Sequence, residues 1–253
     1  MIEIKNIKTG YAGKIVLEID SLHFKEGEVT AIVGLNGSGK STLLKSIVGI
    51  TSHQGSIIID GKKSAGLSHK KRASFISYLP QTLPLANLDI FTLACHGRFP
   101  YLGYSKVLGQ QDLEMVEKAL RLTDLWNLRD KNLSEISGGE RQRAYLAMVI
   151  AQNTKYILLD EPATYMDIKH QLEIMDILRK LAEDGRAVIF TSHDLPQSFS
   201  VSDKVCLLKN GRLLAQGSPE SLAADRLHMK DVMGVSLGRS ADKNSVYNYI
   251  LTL

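Results

Sequence analysis

Apolar residues along this chain switch between a period of two and a helical period, and the switches mark its elements. Residues 1–24 read as antiparallel strands with Tyr11 in the turn between them. The run Val29–Val33 is continuously apolar except for Thr30, as a buried strand is, and a helix-forming stretch follows from Ser41 to Val48. Ser56–Asp60 is a short β run closed by the turn pair Asp60-Gly61, and Phe75–Tyr78 is another. From about Pro84 to Gln152 the pattern is helical, with Leu113, Val116 and Leu120 at i, i+3 and i+7. Strand pattern returns at Tyr156. A helix from Lys169 to Ala182 puts Ile174, Ile177, Leu178 and Leu181 on one face, and Ala187–Thr191 reads as a buried strand. Lys204–Leu208 and Arg212–Gln216 flank Asn210-Gly211, a hairpin signal. Residues 225–253 read as a short helix and a final strand around Val246–Leu251.

Composition narrows this modestly. With 253 residues, 44% of them apolar, residues 1–253 fit one domain with a sizeable core. A net charge of +4 with both signs mixed is too mild for a nucleic-acid binder and suits a place beside an anionic membrane surface. Cys95 and Cys206 form no disulfide or metal pattern, the default for a reducing cytoplasm, and the seven histidines lack ligand spacing. No signal-peptide pattern opens the chain. Its longest apolar stretches, such as Tyr145–Ala151, fall far short of the ~20 residues of a membrane span, so any channel it serves is another chain.

The strongest chemical signal lies between the Val29–Val33 strand and the next helix. Gly34-Leu35-Asn36-Gly37-Ser38-Gly39-Lys40-Ser41-Thr42 fits G-x-x-x-x-G-K-[ST] in the strand–loop–helix setting that a phosphate-binding loop requires. Glycines let the backbone wrap a polyphosphate, and amides at the helix N-terminus point at the anion. Lys40 can then reach the β- and γ-phosphates, and Ser41 can ligate Mg²⁺. Tyr156-Ile157-Leu158-Leu159-Asp160-Glu161 ends a buried strand in two carboxylates, where ligands bind in parallel sheets. Asp160 is a candidate Mg²⁺ ligand through water, and Glu161 a candidate to polarise the water attacking the γ-phosphate. Alone, such a pair is also what a solvated strand end looks like.

Ile136-Ser137-Gly138-Gly139-Glu140 brings a family into view, for it resembles the LSGGQ signature of the ATP-binding-cassette (ABC) ATPases. Ile replaces Leu and Glu replaces Gln, but Ser137, Gly138 and Gly139 keep the anion-binding part at a helix N-terminus. Ser137 is equally suited to capping that helix. The resemblance runs from about residue 2 to about 220. It implies an α/β fold with a P-loop core sheet, an antiparallel β subdomain and a helical subdomain inserted over about residues 84–152. It implies that Tyr11 stacks on adenine, that Gln81 meets Mg²⁺ and the attacking water, that Asp167 marks the D-loop, and that His193 contacts the γ-phosphate. Taken singly, Tyr11 also suits a surface turn, Gln81 a loop, and His193 the neighbourhood of a helix cap. The family further implies ATP and Mg²⁺ as cofactors and a head-to-tail dimer. In it, Gly34–Thr42, Gln81, Asp160, Glu161 and His193 of one chain face Ser137–Gly139 of the other.

Two further stretches look like importers for iron–siderophore complexes, haem and vitamin B12. Gly97-Arg98-Phe99-Pro100-Tyr101 resembles their GRxPH stretch, with Tyr101 in place of His. Asp167-Ile168-Lys169-His170-Gln171-Leu172-Glu173 resembles their LDIxHQ stretch, approached here by Tyr165-Met166. The resemblance implies an ATPase peripheral to the cytoplasmic face of the membrane. It would work with integral permease subunits and, indirectly, a substrate-binding protein, with Arg98 on the surface that docks a permease helix. Other ABC importers or exporters, and a soluble ABC switch in metal-cofactor assembly or DNA repair, stay open. No coiled-coil insertion or second cassette is visible to favour repair or translation roles.

Overall fold

The computed structural model describes residues 1–11, 13–103, 107–164, 166–234, 236–239 and 247–250. A first hairpin, β1 (Ile2–Tyr11) and β2 (Lys14–Phe24), pairs Ile2 with Phe24 and Tyr11 with Lys14. Next come β3 (Val29–Val33), α1 (Lys40–Ile47), β4 (His53–Ile59), β5 (Lys62–Lys63), α2 (His69–Ala73) and β6 (Ile76–Leu79). The helical interval holds α3 (Ile90–His96), α4 (Gln110–Leu122) and α5 (Gly138–Ala151). After it come β7 (Tyr156–Leu159), α6 (Ile168–Glu183), β8 (Ala187–Ser192), α7 (Leu195–Val201), β9 (Lys204–Lys209) and β10 (Arg212–Gly217). The C-terminal part is α8 (Pro219–Ala224), α9 (Arg226–Met233), β11 (Ser236–Arg239) and β12 (Tyr247–Ile250). The expected final helix and strand are therefore present, with Val246 and Leu251 outside the described residues. The β4 strand starts three residues earlier than its apolar run, because Thr9 and Lys8 of β1 pair with His53 and Gln54.

Ten strands make one sheet in the order β5-β4-β1-β2-β10-β9-β3-β8-β7-β6. The β9-β3-β8-β7-β6 half is parallel and the β5-β4-β1-β2 half antiparallel. The halves join where Arg212 of β10 pairs with Glu18 of β2, and the Glu18 amide donates to Gly211 O at 2.7 Å. A Cβ on Gly211 would lie 2.1 Å from Val16 O, so the hairpin turn needs glycine there for this contact as well as for its φ of +77°. Two apolar clusters cover the sheet's faces. Val29, Ala31 and Val33 of β3 face the helices, while Ile32 faces the cluster of Leu43, Leu44 and Ile47 of α1.

Within the helical interval, Val116 and Leu120 are fully buried as their spacing predicts. Gly97 allows α3 to close on α5, since a Cβ there would sit 2.2 Å from Met148 O. Arg98 does not lie on a docking surface as expected; it is only 8% exposed. Its Nε donates to Asp112 Oδ1 at 2.9 Å, and Nη1 donates to the carbonyls of Ala151 and Gln152 at 2.9 and 3.2 Å. The reason is local. The α5 C-terminus leaves carbonyls without helical partners, and a guanidinium satisfies two of them while pairing with a carboxylate. The exposed part of this stretch is Phe99 and Tyr101.

Candidate functional site

β3, β7 and β8 run parallel, so their carboxyl ends meet at one edge. The register pairs Val33 with Ser192 and Leu159 with Phe190. The glycine loop, the Asp160-Glu161 pair and His193 therefore converge. Loop geometry follows from its residues: Gly39 caps α1 at a φ of +103°, and a Cβ on Gly34 would sit 2.2 Å from Leu208 O. A cavity of about 930 Å³ opens over the loop, lined by Leu35 to Thr42 with Val16, Gln81, Glu161, Thr164 and His193.

Lys40 is 5% exposed and folds back along the loop. Its Nζ donates to Gly34 O at 2.8 Å and Leu35 O at 3.3 Å and lies 3.8 Å from Glu161 Oε1. Burial lowers the Lys40 pKa, with Glu161 and Asp160 opposing that shift. A buried ammonium spending its donors on neutral carbonyls suits an incoming anion. Ser41 Oγ donates to Asp160 Oδ1 at 3.0 Å. Asp160, 1% exposed, also accepts from Thr191 Oγ1 at 2.8 Å and, on Oδ2, from the Tyr78 hydroxyl at 3.4 Å. Burial and the Asp160 charge raise the Tyr78 pKa.

Glu161 occupies the left-handed region at a φ of +51°. Its amide donates to Thr191 Oγ1 at 2.8 Å. Its Oε2 accepts from Gln81 Nε2 at 2.9 Å and from Thr164 Oγ1 at 3.1 Å, with His193 Nδ1 at 3.6 Å. Carboxylate, amide and imidazole thus meet at one part of the cavity wall.

The structure does not bring every sequence candidate here. Tyr11 is half exposed, places its hydroxyl 3.4 Å from Thr51 Oγ1, and does not line the cavity. Hydrogen bonding to Thr51 lowers its pKa against the effect of burial. Ser137 and Gly139 do not line it either. Ser137 is exposed and caps α5: its Oγ accepts from the Glu140 amide at 3.2 Å, and Glu140 Oε2 accepts from the Ser137 amide at 2.8 Å. Gly138 instead borders a second cavity of about 550 Å³ that shares Gln81, Glu161 and Thr164 with the first. Thr191, Thr164 and Tyr78 were missed by the sequence reading. Thr191 carried one signal, a hydroxyl at the end of an otherwise apolar strand.

A family model described as ABC transporter matches residues 17–164. The chain is similar to the petrobactin import ATP-binding protein YclP of Bacillus subtilis, at 40% identity over 88% of each chain. It is similar to the ferric enterobactin transport ATP-binding protein FepC of Escherichia coli, at 34% identity over 88% of this chain and 83% of that one. Among solved structures, it resembles the dimeric post-hydrolysis state of the ATP-binding cassette MJ0796 bound to ADP and Pi. That match has a TM-score of 0.76 and 28% identity, covering 87% of this chain and 99% of the other.

Proposed function

The chain belongs to the ABC transporter family, and on that premise we propose that it is the ATP-hydrolysing subunit energising a membrane importer of iron chelates, with haem and vitamin B12 in the same cargo class. The observation that carries the chemistry is the single network Ser41–Asp160–Thr191–Glu161–Gln81 beside a buried Lys40. The cargo reading rests on relatives named for petrobactin import and ferric enterobactin transport. Among the described residues no helix is long and apolar enough to cross a membrane. In this reading the chain is a peripheral subunit on the cytoplasmic face that works with separate permease chains and, through them, a substrate-binding protein. In the same reading the chain is one domain, with 84–152 as a helical subdomain and 225–253 as a C-terminal segment.

In the proposed mechanism the loop amides of Asn36 to Thr42 bind the phosphates, and Lys40 turns from the Gly34 and Leu35 carbonyls to the β- and γ-phosphates. Ser41 and Asp160, with Gln81, supply oxygen donors of the kind Mg²⁺ takes, and that ion would neutralise phosphate charge. Glu161 orients water and accepts its proton, while Gln81 and His193 sense the γ-phosphate. Tyr11 pairs with Lys14, two residues before the cavity-lining Val16, and would stack on adenine there. Ser137–Gly139 do not line the cavity of their own Lys40, which supports their serving the partner's nucleotide in a head-to-tail dimer. Closure and reopening then move the permease. The exposed Phe99 and Tyr101, rather than Arg98, are the apolar contacts for it.

Co-expression with a neighbouring permease, reconstitution in lipid and addition of loaded binding protein test this. Stimulated ATPase activity with uptake of an iron chelate or corrinoid is expected. A complex responding solely to an amino acid or sugar refutes the cargo, and co-purification with soluble partners alone refutes the importer reading.

A further inference from the structure

The Asp167–Glu173 stretch marks a subgroup by sequence, yet none of its residues lines the nucleotide cavity. The structure gives four of its side chains a common task. Asp167 caps α6, and His170 holds both of its carboxylate oxygens: the His170 amide donates to Oδ1 at 3.0 Å, and ring Nδ1 lies 2.7 Å from Oδ2. Since an ionised carboxylate only accepts, Nδ1 carries a proton. The ring also lies close to the start of α5. A methyl built on Gly139 would lie 3.3 Å from His170 Cγ and 3.4 Å from Met166 Cε. Gln171 Nε2 donates to Met166 O at 3.0 Å, which fixes Met166 within the Asp167 segment. Glu173 receives Arg143 of the signature helix α5, and Arg143 is itself buried. Gln142 Nε2 adds a tie from α5 to Pro162 O at 2.9 Å, just past Glu161.

We propose that His170 is a positioning residue that clasps the Asp167 loop to the Ser137–Gly139 loop of the same chain, so that both reach the partner's nucleotide as one rigid unit. This rests on the dimer reading above. It extends that reading by giving His170 a task in assembling the partner's site. Neither Asp167 nor His170 borders the cavity of its own Lys40, whereas the His170 ring lies where a side chain on Gly139 would meet it. A ring bonded to Asp167 and set beside Gly139 limits the relative motion of the two segments. Ordering therefore need not occur when the dimer closes.

The test uses the full chain with Glu161→Gln in every copy, so that ATP is trapped and not turned over. A His170→Ala chain should bind ATP as a monomer with unchanged affinity and melt close to the parent. Its ATP-driven dimerisation should weaken by roughly tenfold or more, as expected for losing a charge-assisted hydrogen bond and its packing. His170→Asn keeps an N–H for Asp167 and should recover most of the loss.

Mixed dimers, isolated by a different affinity tag on each of the two chains so that homodimers are discarded, decide the direction. Lys40→Ala mixed with the parent leaves one competent site and sets the reference level of trapping. Lys40→Ala mixed with His170→Ala should reach that reference, because the surviving P-loop faces an intact clasp. A chain carrying both Lys40→Ala and His170→Ala, mixed with the parent, should not, because the surviving P-loop faces the damaged clasp. Equal trapping in these two mixtures, or native dimerisation of His170→Ala, overturns the proposal. Absence of trapping in the reference mixture instead overturns the dimer reading, and this proposal with it.

Discussion

Thr191→Val removes one hydroxyl and keeps the side chain's shape. That hydroxyl donates to Asp160 and accepts from the Glu161 amide, both at 2.8 Å, and Thr191 is fully buried. Losing a bond to a buried carboxylate costs about 1.5–3 kcal/mol, and leaving a buried N–H without an acceptor about 1–3 kcal/mol. Partial relaxation brings the sum to about 4 kcal/mol. Glu161 is the residue set free. It holds a left-handed φ of +51° that a long side chain seldom adopts, and Thr191 Oγ1 anchors the amide of that residue. With half of the loss, about 2 kcal/mol, expressed at the transition state, kcat falls by about thirtyfold. The P-loop and Lys40 are untouched, so KM for ATP should move by less than about threefold. Thr191→Ser restores the hydroxyl and should return most of kcat. Steady-state ATPase kinetics with Mg²⁺, alongside a thermal melt, measure both parts. A Thr191→Val protein whose kcat stays within about twofold of the parent refutes the argument that this hydroxyl sets the geometry of Asp160 and Glu161.

Further outcomes follow from single contacts. Glu161→Gln keeps an oxygen for Gln81 and Thr164 but loses the basic group, so ATP binding persists while turnover falls by about a hundredfold or more, read by binding and single-turnover assays. Arg98→Glu places a second carboxylate against Asp112 and two carbonyls. It should destabilise the chain by about 3–5 kcal/mol, where an exposed docking residue would cost almost nothing in a urea titration. Burial opposes ionisation of Asp60, yet the Met1 amino group, the Tyr156 hydroxyl and Lys155 hold its pKa at about 2, below the usual 3.8. A depressed carboxyl pKa stabilises above the unfolded value and loses that contribution as pH falls through the folded one. Asp60→Asn should thus cost about 1 kcal/mol at pH 7 after solvent screening, with the difference shrinking below pH 4 in urea titrations.

Local chemistry was enough to locate most elements and the glycine-rich loop between β3 and α1. The Gly34–Thr42 spacing, the acids after the Tyr156 run and the Asn210-Gly211 turn each state a backbone requirement within a few residues, and each is met. Side-chain type likewise placed Ser137 as the cap of α5. What a linear pattern cannot carry is register between distant strands and the partner of a buried charge. Thr191 reaches Asp160 only because β8 pairs with β7 so that Leu159 lies opposite Phe190. Arg98 read as a surface cation because nothing near it in sequence satisfies it. Its partners are the α5 carbonyls more than fifty positions on and Asp112 across a loop. His170 read as part of a family marker, and only the tertiary fold, in which Arg143 of α5 meets Glu173 of α6, set its ring beside Gly139. Short-range rules fixed which groups this chain presents. The long-range pairing of its sheet and helices decided which of them share a hydrogen bond, because those contacts join residues that only the folded core brings together.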